Sequence, residues 1–98
     1  MTVSGVSHYR GGSIEVVTPL ARALKAVYRK YGVGYRLSRF ETGANAGDWL
    51  VVVQYADMAA YEEAQARFPK DPEWQQAVTA ISKVATRVSR EMVLDLEL

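Results

Sequence analysis

The sequence predicts an α+β fold in which an antiparallel four-stranded sheet carries its helices on one face. Strand-like and helix-like segments follow each other in the order βαββαβ within only 98 residues. The third predicted strand, residues 49–55, is apolar on both of its alternating rows, so it must lie inside the sheet with both faces covered. The chain is 49% hydrophobic and 23% charged, which is the balance of an ordinary folded protein. These observations favour a ferredoxin-like βαββαβ sandwich with the first and third strands central.

The first part of the chain is predicted to form a strand and then a long amphipathic helix. Residues 3–10 alternate imperfectly between apolar and polar, and a glycine pair ends the strand. One helical stripe then carries four apolar residues at spacing i, i+4, i+7 and i+11: Leu20, Leu24, Val27 and Tyr31. Gly32 is expected to end this helix. Its start stays open between two N-caps, Ser13 and Thr18, the second of which precedes a proline.

The rest of the chain predicts a hairpin, a broken helical region and a last strand. Residues 33–42 are rich in β-forming side chains and are joined by the turn-rich segment 43–48 to the strand at 49–55. Asp57 is expected to cap a helix that Pro69 interrupts, and Asp71 to cap a second one. Apolar residues then alternate from Met92 to Leu98, which is the period of a half-buried strand.

Length, charge and cysteine content exclude several classes of function. A chain of 98 residues is expected to form one domain, 1–98. It has no apolar run of about 18 residues and no leader-like start, so we expect a cytoplasmic protein without membrane contact. Residues 1–40 carry seven basic groups and one acidic group, whereas residues 41–98 carry five and ten. The acidic half would repel phosphates, so no nucleic-acid partner is expected. With no cysteine and one histidine, neither a metal site nor a cofactor is expected.

A single sandwich leaves one face of its sheet uncovered. An apolar patch of several hundred Å² is rarely left in water. The double apolar character of the third strand therefore predicts a homodimer that forms through the sheet face opposite the helices.

Three patterns spread along the chain carry a resemblance to a known family: Tyr9-Arg10-Gly11-Gly12, Tyr55-Ala56-Asp57 leading into Ala59-Ala60-Tyr61, and Phe68-Pro69-Lys70-Asp71-Pro72-Glu73-Trp74. In these segments the chain resembles the dimeric α+β barrel superfamily, particularly its NIPSNAP-like and antibiotic-biosynthesis-monooxygenase-like branches. The resemblance implies that two sheets pair face to face. The activities it implies are cofactor-free oxygenation of phenolic compounds, haem binding or degradation, isomerisation and simple ligand binding.

The same resemblance bears on which of these activities the chain retains. In the haem-degrading branch, the working asparagine, tryptophan and histidine correspond to positions near Gly5 and at Tyr55 and Val78, and none is retained. The resemblance thus implies no haem degradation of that kind, while haem binding through His8 stays open. In the phenol-oxygenating branch the working residue types are matched in rough order by Asn45, Trp49, Tyr61 and Arg67.

The candidate site is centred on the first strand. His8 and Arg10 are two residues apart and therefore share one face, where histidine would act as a base near neutral pH and arginine would hold a carboxylate or oxyanion. The other candidate ligand-binding residues are Tyr35, Arg39, Tyr55 and Trp74. The expected function is binding of a small aromatic or phenolic compound by a monooxygenase-like or isomerase-like protein. The alternative is a non-catalytic dimerisation module in which these side chains only pack.

Overall fold

The observed order of elements follows the predicted βαββαβ pattern. The computed structural model describes residues 1–98. Its elements are β1 (Val3–Arg10), α1 (Ile14–Lys30), β2 (Gly34–Arg39), β3 (Trp49–Tyr55), α2 (Met58–Arg67), a 3-10 turn (Phe68–Lys70), α3 (Pro72–Ser82) and β4 (Thr86–Leu94). The strands form one antiparallel sheet in the order β2-β3-β1-β4. The ferredoxin-like fold class is confirmed, and β1 and β3 are the central strands.

The caps at the ends of α1 decide where this helix begins and ends. The Ser13 hydroxyl accepts a hydrogen bond from the Val16 amide at 3.3 Å, so the helix begins at the earlier of the two possible caps. Pro19 consequently lies inside the helix, where it removes one backbone donor. The helix ends before Gly32, whose φ of +69° is a left-handed conformation that glycine adopts without strain.

The second helical region is broken at Pro69, as predicted. Asp57 accepts from the Ala60 amide at 2.8 Å and begins α2. Asp71 accepts from the amides of Glu73 and Trp74 at 2.9 and 3.3 Å and begins α3. Each cap satisfies amides that the first turn of a helix leaves free, so the two helices start independently of each other.

The last strand differs from the predicted one in both bounds. β4 pairs with β1 from Thr86 opposite Arg10 to Leu94 opposite Val3. Beyond Leu94 only one backbone hydrogen bond continues the pairing, from the Asp95 amide to the Thr2 carbonyl at 2.9 Å, because β1 begins at Val3. The prediction that the strand reaches Leu98 was therefore wrong. A register shift between His8 and Tyr9 also marks a β-bulge in this pair.

The helices cover one face of the sheet and leave the other open. The core between them contains eleven buried residues: Ala21, Leu24, Tyr28, Val33, Tyr35, Val51, Val53, Tyr55, Ala64, Phe68 and Ala77. On the opposite face Val6, Leu50 and Val52 are only partly buried. Within one chain, the apolar third strand thus has one covered row and one uncovered row. None of the helices has the length and apolar composition that crossing a bilayer requires.

Candidate functional site

A cavity lies between the sheet and the helices. Its volume is about 390 Å³, within the range of small-molecule sites. Strand alternation directs the odd-numbered residues of β1 and β3 into it. Seven aromatic side chains line it: Tyr9, Tyr28, Tyr35, Trp49, Tyr55, Phe68 and Trp74. No aspartate or glutamate is among the lining residues, so the cavity is aromatic and has no negative charge of its own.

The aromatic rings form flat and fixed walls. Tyr28 and Tyr35 stack with ring centroids 5.5 Å apart, and Phe68 and Trp74 stack at 5.9 Å. The Trp74 indole Nε1 donates a hydrogen bond to the Tyr28 hydroxyl at 3.3 Å, which joins the two stacks. Such walls suit a planar ring that packs face-on or edge-on.

Three buried tyrosine hydroxyls of the cavity, those of Tyr28, Tyr35 and Tyr55, remain protonated at neutral pH. Burial raises the pKa of Tyr28 and of Tyr35, and it raises the pKa of Tyr55 to about 12. A neutral phenol can donate a hydrogen bond to a ligand oxygen. No hydrogen bond from another side chain contributes to the pKa shift of Tyr35, and its hydroxyl oxygen is not sealed off without a partner, so it can reach a ligand in the cavity.

The predicted pair His8 and Arg10 lies on the opposite face of the sheet, joined by a buried carboxylate. His8 Nε2 is 2.7 Å from Asp48 Oδ2, and because a carboxylate only accepts, this nitrogen carries the proton and donates it. Arg10 donates to the same carboxylate through Nε and Nη2 at 3.1–3.3 Å. Arg10 and then His8 hold the pKa of Asp48 below its ordinary value of 3.8. His8 also packs edge-on against Phe40, with ring centroids 5.5 Å apart.

The expected single pocket around His8 and Arg10 is thus wrong in its geometry. Even-numbered residues of β1 face away from the helices, whereas Tyr35, Tyr55 and Trp74 line the cavity on the helix side. Arg39 is outside the lining and lies over the Trp49 ring, with its guanidinium carbon 5.1 Å from the ring centroid. The cavity therefore contains the three predicted aromatic residues, whereas His8 and Arg10 meet at Asp48 on the opposite face and Arg39 lies outside the lining.

Three residues were absent from the sequence-based candidates, one in the group formed by His8 and Arg10 and two in the cavity lining. Asp48 was assigned only to a turn, because it lies 40 positions after His8 and no local sequence pattern indicates a contact over that distance. Arg87 and Arg90 both line the cavity, although the predicted last strand began after them. The β-branched residues Thr86 and Val88 on either side of Arg87 are local signs that the strand starts earlier.

The positions compared with related enzyme branches differ in whether they line the cavity. Gly5, Tyr55 and Val78, the positions compared with the haem-degrading branch, all line the cavity. The side chains of Gly5 and Val78 provide no donor atom for iron. Of the residues matched to the phenol-oxygenating branch, Trp49 lines the cavity, whereas Asn45, Tyr61 and Arg67 do not.

Replacing Asp48 by asparagine should lower the urea concentration at the unfolding midpoint at pH 7. The folded-state pKa of Asp48 lies below 3.8, so its charged form stabilises the fold above the unfolded-state pKa. This stabilisation is lost as the pH falls through the folded-state pKa. The difference between wild type and Asp48→Asn, measured by urea denaturation from pH 7 to pH 2.5, should therefore shrink below about pH 4. A difference that stays constant over this range would contradict the charge assignment.

Comparison with known proteins identifies relatives of the chain. A model of the NIPSNAP family matches residues 11–96. This match confirms the resemblance seen in the sequence patterns. A search of curated protein sequences gives no match.

Solved structures of the same fold include proteins of the predicted branches. SnoaB, a cofactor-independent oxygenase from Streptomyces nogalater, superimposes with a TM-score of 0.73 at 14% identity, covering 99% of this chain and 95% of SnoaB. A NIPSNAP family protein from Agrobacterium tumefaciens str. C58 gives 0.71 at 15% identity, covering 99% and 95%. A protein from Caulobacter crescentus CB15, provisionally named an antibiotic biosynthesis monooxygenase, gives 0.74 at 17% identity, covering 98% and 91%. At such identities the similarity establishes the fold alone.

Proposed function

The chain belongs to the NIPSNAP family, and from this membership and the shape of its cavity we propose that it binds a small aromatic compound between its sheet and its helices. The observation that carries the proposal is the composition of the cavity. Sixteen of its 22 lining residues are hydrophobic, and a few polar groups are placed among them. A largely apolar cavity with a few oriented polar groups is the usual form of a small-molecule site.

A phenolic or other hydroxylated ring fits this site best. Its faces would pack against the stacked pairs Tyr28–Tyr35 and Phe68–Trp74. Its oxygen would accept a hydrogen bond from the Tyr35 hydroxyl. A purely aliphatic ligand would gain burial but would leave that hydroxyl without a partner, which costs free energy in a dry site.

We propose cofactor-free oxygenation as the reaction of the bound phenol. The structural similarity to SnoaB, a cofactor-independent oxygenase, favours this chemistry over isomerisation. Oxidation of a phenol to a quinone consumes one O₂, places one oxygen atom on the ring and releases the other as water, and the substrate supplies all four electrons. An ionised phenol gives up electrons most readily. The cationic lining and the absence of any lining carboxylate favour this ionised form.

Binding can be measured directly because both tryptophans of the chain, Trp49 and Trp74, line the cavity. Titration with 2-naphthol should change tryptophan fluorescence, and a ligand at about 100 times its Kd should stabilise the protein by about 2.7 kcal/mol. Gly5→Leu should abolish both effects. A Cβ at Gly5 meets only Met92 Sδ, at 3.6 Å, so a larger side chain there fills the cavity from the sheet side.

Oxygen consumption then separates an enzyme from a binding protein. Wild type mixed with an electron-rich phenol in air, with no added cofactor, should consume oxygen, and Gly5→Leu should not. Binding without oxygen consumption would refute the oxygenase proposal. If no phenol or aromatic acid binds, the non-catalytic dimerisation module becomes the better description.

We further propose that residues 1–98 fold as one domain and that a second copy covers the open face of the sheet. Val6 and Val52 pair across β1 and β3 on that face, and Leu50 lies opposite His8. These apolar residues at the centre of a sheet need a cover. A self-complementary sheet face is the kind of surface through which twofold dimers form.

A further inference from the structure

A β-bulge places two arginines on the same side of β4. Arg90 lies opposite Ser7, and Arg87 lies opposite Tyr9, and both of these partners line the cavity. Residues three apart in a regular strand face opposite sides of the sheet. Here Val88 is the extra residue of the bulge, and it restores Arg87 to the face of Arg90. Without the bulge, only one of the two guanidinium groups would reach the cavity.

These arginines are the only charged residues among those that line the cavity. No carboxylate lies within 4.0 Å of either guanidinium group. The ion pairs of the protein all involve other cations. Neither side chain takes part in a side-chain hydrogen bond. Both are exposed, so their charges face the solvent at the β4 side of the cavity.

The other arginines of the sheet differ from this pair. Arg10 is bound to Asp48 on the opposite face, and Arg39 lies over the Trp49 ring. Arg36 is opposite Val52 and also points away from the helices. Only the two arginines of β4 combine access to the cavity with an unused set of donors.

We propose that Arg87 and Arg90 bind the carboxylate of an aromatic acid whose ring occupies the cavity. This inference rests on the proposed function and specifies its ligand class. A guanidinium group presents paired N–H donors that match the two oxygens of a carboxylate, and two such groups on one side of the cavity define the orientation of the ring. A neutral aromatic compound of the same shape would fill the cavity but would use neither cation.

The surrounding hydroxyls are consistent with an anionic ligand. Burial raises the pKa of Tyr28 and Tyr55, while the positive charge of Arg90 acts in the opposite direction on both. This guanidinium group is therefore within electrostatic reach of the cavity interior. Protonated tyrosines do not repel a carboxylate, and they offer it further donors.

The test compares 2-naphthoate with its neutral isostere 2-naphthamide by isothermal titration calorimetry at pH 7. Wild type should bind the acid at least about 10-fold more tightly than the amide, because charge-assisted hydrogen bonds are the stronger kind. Arg87→Gln and Arg90→Gln should each reduce this preference several-fold, and the double variant should reduce it to within about 2-fold. The Kd of the amide should stay within about 2-fold throughout. Arg22→Gln, which removes an exposed cation of α1, is the matched control and should change neither affinity.

Salt gives a second measurement on the same proteins. Raising the ionic strength from 0.05 to 0.5 M should weaken binding of the acid to wild type, because exposed charges are screened. It should leave binding of the amide, and binding of either compound to the double variant, nearly unchanged. Equal affinity of wild type for the two compounds, or an acid preference that survives in the double variant, would overturn the inference and leave the cavity function intact. Failure of both compounds to bind wild type would overturn the cavity function and the inference together.

Discussion

Replacing Val52 by aspartate should give a folded monomer, whereas the same replacement at Val53 should unfold the chain. Consecutive strand residues face opposite sides of a sheet. Val53 belongs to the buried core between sheet and helices and is 9% exposed. A carboxylate there would be largely withdrawn from water, and we expect a loss of about 4 kcal/mol or more of unfolding free energy.

Val52 lies on the open face, where the charge remains in water as long as the chain is alone. In the proposed dimer, twofold symmetry would place the new charge at the interface twice. An unpaired interfacial charge costs about 2–5 kcal/mol, so we expect the dimer Kd to rise by at least about 100-fold. Sedimentation equilibrium measures the assembly, and circular dichroism with urea denaturation measures the fold.

Ala66→Asp, which adds the same charge at an exposed position of α2, is the matched control and should affect neither quantity. A Val52→Asp protein that sediments as a dimer would contradict the proposed interface. A Val53→Asp protein with wild-type stability would contradict the assignment of the two faces.

The features that the sequence predicted correctly depend on residues close together along the chain. Asp57 and Asp71 begin their helices by bonding amides two or three residues away. The two apolar rows of β3 are visible within seven consecutive residues. Such local signals determine element type and order, and the order nearly determines the sheet topology.

The site could not be predicted in the same way, because it depends on which strand residue faces which side. His8 and Tyr9 are neighbours in sequence, yet only Tyr9 faces the helices. Strand alternation shows that His8 and Arg10 share a face but does not indicate which face the helices cover. The bulge that turns Arg87 toward the cavity is defined by pairing with β1, and residues 86–90 alone contain no signal for it.

Replacing Phe68 by alanine should cause the largest loss of stability among single truncations of the core. Phe68 is 2% exposed and contacts three other rings, with centroids 4.8 Å away at Tyr28, 5.2 Å at Tyr31 and 5.9 Å at Trp74. Truncation removes these contacts and leaves a void between α1 and α3. We expect a loss of about 3–5 kcal/mol. For a protein of this size that corresponds to a fall in Tm of roughly 12 °C or more in a calorimetric scan.

Two variants separate packing from other effects of the substitution. Phe68→Leu retains most of the volume without the ring contacts and should lose about half as much stability as Phe68→Ala. Met58→Ala truncates a residue that is 49% exposed in the preceding helix and should change the free energy of unfolding by less than about 0.5 kcal/mol. Because Phe68 also forms part of the cavity wall, the alanine variant should bind 2-naphthol more weakly at temperatures where it is still folded. Equal stability of Phe68→Ala and wild type would show that the contacts of Phe68 with Tyr28 and Trp74 do not hold the cavity wall on which the proposed aromatic site depends.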